Sequence, residues 1–165
     1  MSNLLTCQRC PRLSAYRIQQ KDRFPHYHCL PVAGFGSLDA RLLVVGLAPG
    51  LHGANATGRP FTGDASGDLL FATLHKYGFA SSSTSRVSSD NMQLIDCRIT
   101  NAVKCVPPEN RPITSEINHC KRFLREEISM MMPGSVLLAL GTIAHRAILK
   151  ALDLTQAQYQ FSQCA

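Results

Sequence analysis

The spacing of apolar and polar residues changes several times along the chain, and each change marks an element. Leu42-Leu43-Val44-Val45 is an unbroken apolar run of strand length, the pattern of a parallel strand buried on both faces. Before it, residues 12–20 are basic and polar and read as a helix, while residues 25–36 show no apolar period and read as loop. Residues 68–77 read as a helix closed by Gly78. Residues 81–91 are serine-rich, a surface loop expected to be mobile. A second strand is expected near residues 97–103, and the adjacent Pro107 and Pro108 after it forbid helix and favour an extended loop. Thr114 is the expected N-cap of the next helix, in which Ile117, Cys120, Leu124, Ile128 and Met131 recur every three or four positions as one buried stripe. Met130, Met131 and Met132 read as core filling, and Pro133-Gly134 ends that helix. Residues 135–141 read as a third buried strand, and residues 142–152 as a helix. Strands alternating with helices imply right-handed crossovers and a doubly wound parallel sheet. No repeat or linker interrupts residues 1–165, so one domain is expected; residues 155–165 supply no closing strand or helix, and the chain is expected to be cut short.

Composition narrows the class. Hydrophobic residues make up 45% and charged residues 17%, ordinary values for a soluble globular domain. The formal charge of +6 favours a polyanionic partner, nucleic acid above all, with a solvated basic face as the alternative. No apolar run approaches the roughly 18 residues a membrane span needs, so no membrane partner is expected. The N-terminus, with Cys7, Arg9 and Cys10, lacks the apolar core of a signal peptide. The expected location is the cytoplasm. Seven cysteines in a reducing compartment then suggest metal or redox chemistry more than disulfides.

Three constellations carry candidate chemistry. Cys7 and Cys10 form a C-x2-C turn, and Cys105 and Cys120 offer a second pair, Cys120 on the inward stripe of its helix. Four thiolates suit either zinc or an iron–sulfur cluster, and Cys105 and Cys120 also fit as small buried hydrophobes. Cys29, Cys97 and Cys164 have no such partners and read as packing residues or incidental thiols. The second constellation comes directly after the first strand, where five glycines and two prolines fall within residues 46–66. That backbone suits tight turns and close approach to a ligand, and ligands of open α/β sheets bind at such strand ends. It holds no phosphate-loop signature, but it does carry Phe61, a ring able to stack a flat base, and the carboxylate Asp64. Taken singly, Phe61 also reads as a core residue under the loop and Asp64 as a helix cap. The third is Asn101, whose carboxamide matches the edge of a uracil and which otherwise reads as a strand-end turn residue. Arg59, Lys104 and Arg111 are candidate contacts to a phosphate backbone, whereas His52, His75 and His145 stand isolated.

Together these segments resemble the uracil-DNA glycosylase superfamily, most closely its iron–sulfur branches. The resemblance is carried by Cys7-Gln8-Arg9-Cys10-Pro11-Arg12-Leu13, Gly46-Leu47-Ala48-Pro49-Gly50, Gly58-Arg59-Pro60-Phe61-Thr62-Gly63-Asp64, Asn101-Ala102-Val103-Lys104-Cys105 and Cys120. Leu47, where family-four enzymes carry glutamate, and Pro31-Val32-Ala33-Gly34-Phe35-Gly36 make it most like family five, the UDGb-type branch. The resemblance implies a three-layer α/β/α fold around a central parallel sheet, with the last strand and the elements after it missing. It implies a monomeric repair enzyme, cytoplasmic and nucleoid-associated, that hydrolyses the N-glycosidic bond of uracil or other deaminated bases in DNA. Cys7, Cys10, Cys105 and Cys120 would hold a [4Fe–4S] cluster, with zinc as the alternative. Phe61 would stack on the extruded base, Asn101 would read its edge, and Gly46, Leu47 and Ala48 would contact it through the loop. Asp64 would position the attacking water, since Leu47 cannot. The sequence departs from that branch at Ala56, where its loop carries arginine, and in lacking a histidine-bearing motif after a fourth strand. The second departure implies a large loss of activity and raises the alternative of a non-catalytic iron–sulfur DNA-binding domain.

Overall fold

The computed structural model describes residues 3–162; the expected role of Cys164 lies outside them. In chain order the elements are α1 (Pro11–Arg23), β1 (Phe35–Gly36), β2 (Leu42–Gly46), α2 (Ala54–Thr57), α3 (Ala65–Lys76), β3 (Cys97–Asn101), a 3-10 turn (Pro108–Asn110), α4 (Thr114–Ser129), β4 (Val136–Ala139) and α5 (Thr142–Ala151). The sheet runs β1-β3-β2-β4. β2 lies between β3 and β4 and is parallel to both, which is the doubly wound core the alternation predicts. Phe35 and Gly36, expected in a loop, instead add a short antiparallel strand opposite Ile99 and Arg98.

The period of two along β2 sorts the layers. Leu43 and Val45 point to one face, where they pack with Leu124 of α4 and Ala144, Ala147, Ile148 and Ala151 of α5. Val44 points to the other, with Ile99, Cys97 and the α3 residues Leu70, Phe71 and Leu74. Helices therefore cover both faces, giving the three-layer α/β/α arrangement. A third cluster joins Leu13 of α1 to Val103, Cys105, Cys120 and Phe123, docking the N-terminal helix against α4. Arg12 strengthens that seam, donating from Nε and Nη2 to the two carboxylate oxygens of Glu116 at 2.8 Å each.

Several local expectations are corrected. β4 is not buried: Val136 and Leu138 are 61% and 44% exposed, while Leu137 and Ala139 pack inward. It pairs with β2 alone among the described residues, so its other edge stays open, and the face that carries Val136 and Leu138 is uncovered. Met132 is exposed, and of the three methionines Met131 packs on the core. The N-cap of α4 is Ile113 rather than Thr114, because Glu116 reaches back to accept the Ile113 N–H at 2.9 Å. Residues 108–110 make a single 3-10 turn, with Glu109 and Asn110 at positive φ, rather than an extended run. Among the described residues no helix is long and apolar enough to cross a membrane.

Candidate active site

β2 and β3 end side by side, with Gly46 in register opposite Asn101. Gly46 is needed there: a Cβ on it would strike the Phe61 ring and sit 2.6 Å from Asn101 Oδ1. The ring of Phe61 and the amide of Asn101 thus converge over one bare Cα. Phe61 reaches that spot with φ of 55°, a backbone strain that cores seldom demand of an aromatic residue and functional loops often do. Its carbonyl packs against Gly67, where any side chain would collide with it.

Asp64 caps α3, its Oδ1 accepting the Gly67 N–H at 2.9 Å. Oδ2 faces the glycine-rich loop: a Cβ at Gly53 would collide with it, and one at Gly50 would lie 3.4 Å away. One carboxylate oxygen is therefore held by the helix, and the other is turned toward the loop. Gly46, Leu47, Ala48, Gly50, Phe61, Asp64 and Asn101 all line one cleft of about 510 Å³. Asp64 is the one carboxylate among its lining residues. Leu69, Asn110, Leu138 and Leu140 are among the other lining residues, and sequence reasoning gave none of them a role. The exposed face of β4 was the missing signal for Leu138 and Leu140; nothing in the chain marks Asn110.

Two candidate phosphate contacts are instead internal. Arg59 is 7% exposed and donates to Thr62 Oγ1 at 3.0 Å, Ser85 Oγ at 2.6 Å, the Val87 carbonyl at 2.8 Å and Asp90 Oδ1 at 2.5 Å. Its guanidinium also lies 4.7 Å from the centroid of the Phe35 ring. Those bonds pin the serine-rich segment that the sequence suggested was mobile. Burial alone would raise the Asp90 carboxyl, yet Arg59 and the N–H groups of Met92 and Arg86 hold it below the usual carboxylate value. Lys104 is 1% exposed, its Nζ donating to Thr100 Oγ1 and to Glu127 Oε1, while Arg98 Nε donates to Glu127 Oε2 at 2.7 Å. Burial opposes charge on Glu127, but the two cations prevail and keep its carboxyl low. Arg111 alone of the three is exposed.

Cys7, Cys10, Cys105 and Cys120 line a single hollow beside α1 and α4. All four are free thiols. Burial pushes Cys105 up to about 12, and nearby Cys120, Cys7 and Cys10 add to the rise against Arg17. Burial likewise pushes Cys10 to about 11, helped by Cys120, Glu116 and Cys7. The Lys104 N–H donates to Cys120 Sγ at 3.3 Å. Burial thus keeps Cys10 and Cys105 as neutral thiols at neutral pH. Among the described residues, no three His, Cys, Asp or Glu side chains are gathered so as to hold a single metal ion. Cys29 and Cys97 are buried apart from this set, Cys29 accepting from Asn55 Nδ2 at 3.4 Å. Of the histidines, His52 Nδ1 lies 2.9 Å from Tyr27 Oη, His75 Nδ1 lies 2.9 Å from the Ala80 carbonyl, and the His145 ring packs on Phe161.

The family model described as the uracil DNA glycosylase superfamily matches residues 33–163 of this chain. A type-5 uracil-DNA glycosylase of Pyrobaculum aerophilum is 43% identical over 167 residues, covering 99% of this chain and 74% of that protein. A type-5 enzyme of Thermus thermophilus is 41% identical over 166 residues, covering 98% and 75%. A type-4 uracil-DNA glycosylase of Pyrobaculum aerophilum is 33% identical over 147 residues, covering 88% and 61%.

Proposed function

This chain belongs to the uracil-DNA glycosylase superfamily, and on that premise we propose that it is a DNA repair glycosylase of the type-5 kind. It hydrolyses the N-glycosidic bond of uracil in DNA and leaves an abasic site. The observation that carries this reading is the convergence of Phe61, Asn101 and Asp64 on one cleft, over a glycine that lets the first two meet.

The chemistry asks little more of the protein than the cleft offers. Breaking a base–sugar bond passes through an oxocarbenium-like sugar. The pyrimidine departs as an anion, and dipoles aimed at that charge usually supply the largest share of the acceleration. Backbone N–H groups of residues 46–50 would face the departing base, Phe61 would stack on it, and the Asn101 carboxamide would bond its edge. Asp64 Oδ2, turned to the loop while Oδ1 is tied to the helix, would position the water that attacks the sugar. Leu47 supports this assignment, since it lines the cleft without any group able to do that job. Flipping the nucleotide out of the duplex costs a few kcal/mol, less at a G·U mismatch. Exposed cations such as Arg111 would supply phosphate contacts, and that binding would weaken steeply with salt.

Cys7, Cys10, Cys105 and Cys120 would hold a [4Fe–4S] cluster. The donor set supports it: Cys7, Cys10, Cys105 and Cys120, none in a disulfide, share one hollow, and four thiolates are the ligand set such a cluster takes. When bound, the cluster would neutralise the thiolates and tie α1 to α4 and to the segment that carries Cys105, which follows Asn101 at the end of β3.

Incubating the protein with a uracil-containing duplex and then with alkali tests the activity. Strand scission at the uracil is expected; none at any enzyme excess would leave only a binding protein.

A further inference from the structure

One group of rings outside the cleft has no part in the chemistry above. At the end of α1, Phe24 and Tyr27 stack with centroids 4.7 Å apart and planes 14° from parallel. His52 stands edge-on to both, 5.5 Å from Phe24 and 5.9 Å from Tyr27. Tyr27 Oη and His52 Nδ1 share a hydrogen bond of 2.9 Å. The Arg23 guanidinium lies 5.3 Å from the Phe24 centroid, and Lys21 Nζ donates to the Tyr27 carbonyl at 2.6 Å. Lys21, Arg23 and His52 are exposed, and the two benzene rings are half-buried. None of the three rings belongs to the apolar clusters that hold the fold together.

The block sits beside the cleft. His52 immediately precedes Gly53, where a Cβ would collide with Asp64 Oδ2, and lies two residues past Gly50, which lines the cleft wall. The segment after Tyr27 is tied to the same loop, the His28 and Cys29 N–H groups donating to the Ala56 and Asn55 carbonyls at 3.0 and 3.1 Å, next to Ala54 of the cleft wall. Flat rings among cations are the usual means of holding unpaired nucleotides: each base offers a face to stack, and lysine and arginine meet the phosphates.

We infer that Phe24, Tyr27 and His52 form a second base-stacking subsite for an unpaired nucleotide of the DNA strand whose uracil enters the cleft. The identity of that strand rests on the glycosylase reading. Bases inside a duplex keep their faces covered, so the subsite favours single-stranded DNA.

The test compares a labelled oligothymidylate with an abasic strand of the same length, which keeps the phosphates and lacks the bases. Binding is followed by fluorescence anisotropy on the full chain. Wild type binds the base-bearing strand more tightly, and Tyr27→Leu reduces that preference by about tenfold while leaving affinity for the abasic strand unchanged. Tyr27→Trp, which keeps a flat face, retains the preference, and Phe24→Leu reproduces the loss should Tyr27→Leu not fold. Equal wild-type affinity for both strands, or a preference that survives in the Leu variants, overturns the subsite. A protein that excises uracil yet shows no such preference defeats the subsite alone. One that shows it and excises nothing leaves the subsite standing and defeats the glycosylase reading.

Discussion

Gly46 shows how much a single position can carry. Its missing side chain is what allows the Phe61 ring and Asn101 Oδ1 to occupy the same space. Gly46→Ala is therefore expected to push both aside, destabilising the protein by about 1–3 kcal/mol as overpacked sites do and lowering uracil affinity more than stability. Thermal melts beside substrate titrations would separate the two effects. Asp64 carries two duties that substitution can split. Asp64→Asn keeps a good helix cap, so its melting temperature should match wild type, whereas Asp64→Ala should lose about 1 kcal/mol. At this scale the sequence was partly legible. Gly46, Phe61, Asp64 and Asn101 could be picked out as candidates, and both the cap and the cleft position of Asp64 are present in the structure. The fates of Arg59 and Lys104 were not legible, because a charged residue declares its burial only through distant partners: Asp90 for one, Glu127 for the other.

Between elements, that Arg59–Asp90 pair is the staple joining the loop after β2 to the segment before β3. The Asp90 carboxyl sits below its ordinary value of 3.8 in the folded protein, so its charge favours folding. That contribution is fully present above the unfolded value and is lost as pH falls through the lower folded one. Asp90→Asn should cost about 2 kcal/mol at neutral pH, the usual worth of a hydrogen bond to a charged group. Its stability should then fall less steeply than wild type on acidification below pH ~4, since the titrating group is gone. Denaturant melts at two pH values check this; parallel slopes would remove Asp90 as the cause. Most strands and helices were readable from apolar patterning, β2 as an unbroken run and α4 as a stripe, whereas the single turn of α2 went unread inside the glycine-rich loop. The two-residue β1 was not, because a pair of residues has no period and joins the sheet only by virtue of β3. The open face of β4 escaped notice for a related reason, since an apolar run looks the same whether or not a layer covers it.

Across the whole molecule, four cysteines from separate segments reach one hollow, and that convergence was the long-range feature most visible in the sequence. C-x2-C ahead of a helix and a cysteine on a buried stripe suggested a shared site, though Cys105 and Cys120 read equally as small buried hydrophobes until the family resemblance grouped all four. What spacing could not decide was the choice between zinc and a cluster, since four thiolates suit either. Anaerobically prepared protein should be brown and contain iron and sulfide. Cys120→Ser should lose the colour and loosen the seam between α1 and α4, seen as faster proteolysis near residues 3–23. Colourless, iron-free protein with zinc bound would reverse the cofactor assignment and leave the cleft untouched.

The most direct test of the account is the single-turnover rate of uracil release from a duplex, measured for wild type and Asp64→Asn side by side. A positioned carboxylate of this kind typically contributes a factor of about 10²–10⁴. The cleft geometry predicts a loss within that range in a variant that melts like wild type. An Asp64→Asn rate equal to that of wild type would contradict it, and the carboxylate of Asp64 would be left as a helix cap and nothing more.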